Sequence, residues 1–174
     1  MRILNKISVV GVLLAAVFYL GSCGGGGGTS AGSNPVANVL TGTFTTTNIA
    51  SGVAASGIVY PIAHIHDEVV VGVPGPVVIP LTQSAPGTWT VPATVLNDTQ
   101  IARLRAGGYY VNVHTVLNPS GEIRGQLVVS STNPNMFTAT LDLAQEVPAP
   151  NVPAGAVPTG SGSVTLTTAV GAPY

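Results

Sequence analysis

Fourteen prolines and twenty-two glycines are spread through the 174 residues, which leaves few stretches long enough for a helix. Proline removes a backbone donor and clashes with the preceding turn, and glycine costs about 1 kcal/mol against alanine inside a helix. Between these breaks the chain is rich in valine and threonine, whose β-branched side chains suit a pleated surface. One stretch, Asn97 to Gly107, combines capping residues, Ile101 and Leu104 at i, i+3, late arginines and a glycine stop. The expectation is an all-β chain, an antiparallel β-sandwich or barrel-like fold, with one short helix at about residues 98–106.

The strongest local pattern is a hairpin. From Tyr109 to Val116 the chain alternates, with Val111, Val113 and Thr115 on one face and Tyr110, Asn112 and His114 on the other. Asn118-Pro119-Ser120-Gly121 is a turn, and Glu122 to Val129 alternates again. Shorter β-type pieces lie at Val39–Thr45, Gly57–Tyr60, Pro61–His66, Val69–Val71, Val77–Leu81, Trp89–Val91, Phe137–Leu143 and Ser163–Thr168. Pro80 places Val77–Leu81 at a sheet edge or a strand end.

The first thirty residues have a different logic. Arg2 and Lys6 precede an apolar run from Ile7 to Leu20. That run is short of the roughly 20 residues a membrane span needs, and it fits a secretory signal. It ends in Leu20-Gly21-Ser22-Cys23, which resembles a bacterial lipobox. The resemblance implies a signal peptide over 1–22, cleavage before Cys23 and a lipid on its thiol. Cys23 is the chain's sole cysteine, so no internal disulfide can form. Residues 23–36, with five consecutive glycines, form a tether that cannot bury apolar surface. Gly24 after the lipid site implies, by sorting rules, a cell-envelope protein on the outer rather than the inner membrane. The membrane is thus one expected partner, and an extracellular or periplasmic protein or ligand is another.

Removal of residues 1–22 leaves three arginines against six carboxylates, a net charge of −3. No basic patch remains to neutralise phosphates, so nucleic acid is excluded as a partner. No nucleophile elbow, phosphate loop or carboxylate pair is present, and the chain is not expected to be an enzyme.

Four segments in order carry a family resemblance: Ala63-His64-Ile65-His66, Gly75 to Leu81, Gly107 to Thr115, and Asn118 to Leu127. Together they resemble the CHRD (chordin-type) domain, over roughly residues 58–129. The resemblance implies an extracellular β-domain with a binding role and no established reaction. The motif that normally opens such a domain appears late, as Phe137-Thr138-Ala139-Thr140-Leu141-Asp142-Leu143-Ala144-Gln145-Glu146-Val147-Pro148, with Leu143-Ala144 in place of Ser-Gly. Residues 37–130 are therefore assigned to a CHRD-like domain. Residues 131–174 either complete it in permuted order or begin a truncated second repeat.

All three histidines fall inside the resemblance. His64 and His66 share one strand face, and His114 lies on the polar face of another. Imidazole nitrogens suit zinc or copper, so His64, His66 and His114 are candidate metal ligands. Glu122, Arg124, Tyr110 and Asn112 are candidates for supporting the metal or binding a ligand. A hydrogen-bonded histidine network without metal is the competing reading. Glu122 and Arg124, two apart on one strand face, are expected to pair. Asp67 and Glu68 offer too few ligands for calcium.

Overall fold

The computed structural model describes residues 36–53, 57, 59–68 and 72–170. The signal peptide, Cys23, nearly all of the tether and the Val69–Val71 piece lie outside these residues. Twelve strands and one helix follow in order: β1 (Val36–Thr47), β2 (Gly52–Val53), β3 (Val59–Tyr60), β4 (Ile62–Asp67), β5 (Val77–Pro80), β6 (Thr82–Ala85), β7 (Thr88–Leu96), α1 (Asp98–Arg105), β8 (Tyr109–His114), β9 (Ile123–Gln126), β10 (Val128–Val129), β11 (Met136–Leu141) and β12 (Thr159–Val170).

Two antiparallel sheets carry the fold. One has the order β10-β11-β12-β1-β7-β6, and the other the order β5-β4-β8-β9. Both sheets are open, so the chain is a β-sandwich and not a closed barrel. The core is what the alternation dictates. Leu40, Phe44, Trp89, Phe137, Leu141 and Val164 from the larger sheet meet Ile65, Ile79, Val111, Val113 and Ile123 from the smaller one. Trp89 and Tyr109 belong to this core, whereas Tyr110 faces the other way, as the period of two requires.

The predicted helix forms and ends at Arg105, with Ala106 as its C-cap. The Asn97 side chain accepts from Gln100 N, and the Gln100 side chain accepts from Asn97 N, both at 2.9 Å. This reciprocal capping satisfies two orphan donors of the first turn. Leu104 is buried in the core, and Arg103 binds Asp67 at the end of β4 at 2.6 Å.

The hairpin departs from the expected pattern at one end. β8 and β9 pair as predicted, but Val128 and Val129 pair with β11 in the other sheet. Leu127, fully buried, is where the chain crosses between the two layers. Past Leu127 the burial no longer alternates, and Val128 and Val129 are both exposed.

The strands after residue 131 enter the larger sheet. β12 pairs with all of β1, from Val36↔Val170 to Thr47↔Thr159, and β11 lies between β12 and β10. Among the described residues, no helix is long and apolar enough to cross a membrane.

Candidate metal centre

The outer face of the smaller sheet is built by residues of one parity. β4 contributes His64 and His66, β8 contributes Tyr110, Asn112 and His114, and β9 contributes Arg124. The register puts His64 opposite Asn112, His66 opposite Tyr110, and Asn112 opposite Arg124. In β8 both faces are buried. The polar face is therefore not a solvated surface, because loops close over it.

Three imidazoles converge on this face. One ring nitrogen each from His64, His66 and His114 lie within 4.8 Å of one another. The His64 and His114 rings are 5.1 Å apart, and each is 5.7 Å from the His66 ring. His66 Nδ1 meets the Gly75 carbonyl at 2.9 Å, and His114 Nδ1 meets the Pro119 carbonyl at 3.1 Å. A carbonyl only accepts, so each Nδ1 carries the proton and each Nε2 keeps its lone pair. Those two Nε2 atoms, and His64 Nδ1, are buried without any partner.

Electrostatics keeps the rings neutral. Burial lowers the pKa of His64 below that of a free imidazole. Burial also lowers His66, helped by the charges of His64 and Arg124 and opposed by the bond to Gly75. His114 is lowered most, to about 4, by burial first and then by His64. Three neutral imidazoles with free lone pairs are a donor set for a borderline metal such as zinc or copper. As a purely structural network they would leave three buried ring nitrogens unmet, each at about 1–3 kcal/mol.

The surroundings hold these rings in place. Tyr110 stacks on His66 with centroids 4.9 Å apart, and the Arg124 guanidinium lies 3.5 Å from the Tyr110 centroid on its ring face. Gly75 donates its N–H to the Tyr110 hydroxyl at 3.0 Å while its carbonyl holds His66. A Cβ on Gly75 would fall 1.8 Å from the Asp67 carbonyl oxygen, so only glycine lets this loop lie against β4.

The chain matches the family model for the CHRD domain over residues 21–127, more than half its length. The chain belongs to the CHRD domain family. No curated protein and no solved structure matches it. Membership points to a non-enzymatic binding module. The match begins before the first motif that carried the resemblance and ends before β11 and β12, which nonetheless share a sheet with β1 of the CHRD domain.

Of the residues singled out in the sequence, His64, His66, His114, Tyr110, Asn112 and Arg124 meet on one face of the CHRD domain. Glu122 does not join them: its Oε2 accepts from Thr115 Oγ1 at 2.6 Å and Asn118 Nδ2 at 3.0 Å, which ties the hairpin turn. The expected Glu122–Arg124 pair is absent among the described residues. Arg124 instead binds Glu68 at 2.6 Å, with side chains 4% and 2% exposed. Glu122 is held in the turn by Thr115 and Asn118, and Glu68, directly after β4, is the carboxylate that meets Arg124. Two residues escaped the sequence reading. Glu68 was weighed only as a calcium ligand. Glu146, in the late opening motif, packs on Asn112 with Oε1 3.4 Å from Asn112 Nδ2, and burial raises its pKa to about 7. The position of Glu146 inside a family motif was the available signal. Cys23 lies outside the described residues.

Proposed function

We propose that this CHRD domain binds one zinc or copper ion through His64, His66 and His114, as a non-enzymatic module. The observation that carries the reading is the convergence of three imidazoles, with one ring nitrogen of each within 4.8 Å of the others and one buried ring nitrogen of each left without a partner. Backbone carbonyls orient two of the rings, as commonly found behind metal-bound histidine. The test is metal analysis of tag-free protein before and after loading with zinc or copper. About one equivalent supports the site. Less than about a tenth of an equivalent after loading overturns it, since a site with free donors should fill.

The module is placed in the cell envelope by a lipid on Cys23, held off the membrane by the glycine run. The lipobox-like Leu20-Gly21-Ser22-Cys23 supports this. Mass spectrometry of the envelope fraction should find diacylglyceryl-modified Cys23 as the first residue. An unmodified Cys23 in the mature chain removes the anchor. Residues 131–174 are assigned to the same CHRD unit as its closing strands. Pairing of β12 along all of β1 supports this over a second repeat. Rapid proteolytic loss of 137–174 with 40–130 left intact would contradict it.

A further inference from the structure

Among the described residues, the buried side-chain atoms without a partner are His64 Nδ1, His66 Nε2, His114 Nε2, Asn112 Oδ1, Arg124 Nη1 and Glu146 Oε2. Every one belongs to the outer side of the smaller sheet. Three are the imidazole nitrogens described above. Of the rest, Asn112 shares the face of the histidines, opposite His64 across the strands and two residues from His114. Asn112 is 3% exposed.

The orientation of the amide is held from one side. Asn112 Nδ2 donates to Glu146 Oε1 at 3.4 Å and to the Ser120 carbonyl at 3.5 Å. Both acceptors belong to loops that follow β8 in the chain. Oxygen and nitrogen of a planar amide diverge, so the oxygen turns from Glu146 and Ser120. The Ser120 carbonyl only accepts, so it is the amide nitrogen that faces it. The approach of Glu146 is built into the turn. Gly121 has φ of 140°, and a Cβ there would fall 2.4 Å from Glu146 Oε2 and 2.6 Å from Asn112 Nδ2.

We infer that Asn112 Oδ1 is the fourth ligand of the metal ion, with Glu146 as the residue that positions it. An amide oxygen is a recognised donor to metal ions, and three imidazoles plus one oxygen make a four-coordinate set. The consequence is a closed site, which stores or structurally holds its ion and keeps no position for a substrate. This rests on the three-histidine reading and adds the fourth ligand to it.

The experiment compares the full chain with Asn112→Ala, Asn112→Asp and Glu146→Ala, each checked for folding by circular dichroism. Zinc affinity is measured by chelator competition, and copper(II) is followed by electron paramagnetic resonance with and without azide. The expected results are a 10–100-fold loss of affinity for Asn112→Ala and a smaller loss for Glu146→Ala. Asn112→Asp keeps or tightens binding with a changed copper spectrum. Azide alters the spectrum of Asn112→Ala but not of the unaltered chain. If Asn112→Ala and Asn112→Asp both match the unaltered chain in affinity and spectrum, or if azide binds the unaltered chain equally, Asn112 is not a ligand while the three-histidine site stands. If Asn112→Ala does not fold, the Asn112→Asp spectrum and the azide response of the unaltered chain decide the matter. An unaltered chain that takes up no metal removes both readings.

Discussion

The two outward faces of the sandwich invite comparison. On the larger sheet the outer positions are ranks of hydroxyls: Thr43 pairs across to Ser163 and Thr90, and Thr138 pairs to Ser163. None of its strands carries a charged residue. On the smaller sheet the outer positions hold three histidines, an asparagine and an arginine, and most are buried. Both faces are polar, but they stand in different media. A hydroxyl in water is satisfied by water and asks for no explanation. A buried imidazole or amide without a partner costs free energy, so its presence points to a ligand or to a function. Polarity by itself therefore does not mark a site, whereas polarity under cover does.

The sharpest way to break the contrast is to remove a histidine. His114→Ala should lower zinc affinity by at least 100-fold in chelator competition, by loss of one of three nitrogens. Thr43→Val, on the other face, should leave it unchanged. Equal effects would end the distinction between the faces.

A second test breaks the buried ion pair. Arg124→Ala leaves Glu68 charged, 4% exposed and unpaired, at a cost of about 3–5 kcal/mol in urea unfolding. Thr90→Ala, exposed on the other sheet, should stay within about 0.5 kcal/mol.

A third test uses pH on metal-free protein. The folded-state pKa of His114 is lowered from 6.5 to about 4, so between these values the unfolded chain binds more protons. Stability should therefore fall as pH drops from 6.5 towards 4, by on the order of 2 kcal/mol for this group. His64 and His66 act in the same direction. His114→Gln should flatten the slope seen in urea unfolding across this range.

An effect of opposite sign is expected from Glu146. Its folded-state pKa is raised from 4.5 to about 7, so the folded chain holds the extra proton between those values. Its burden on stability grows as pH rises through that window and is complete above it. Glu146→Gln, which stays neutral, should be more stable than the unaltered domain at pH 8 by on the order of 2 kcal/mol and no more stable at pH 4. An advantage equal at both pH values would show that charge is not the cause.

Much of this was legible in the chain because it is local. The period of two along Tyr109–His114 assigns faces, Asn97 and Gln100 start the helix, and His64-Ile65-His66 puts two imidazoles on one side of one strand. Each of these is decided within about ten residues, where backbone geometry alone links sequence to direction. The segments that carry the family resemblance are of the same kind.

Only the tertiary structure decided what these local pieces meet. His114 joins His64 and His66 because β8 pairs with β4 across more than forty residues of chain. Glu68, directly after β4, takes Arg124, while Glu122 is drawn into its own turn. Glu146 reaches Asn112 across thirty-four residues over a glycine that makes room. The loops that bury this face carry no periodic pattern, so the alternation that marks a polar face is silent on whether water or protein lies above it. That difference depends on long-range closure, and it separates a hydroxyl surface from a buried cluster of histidines.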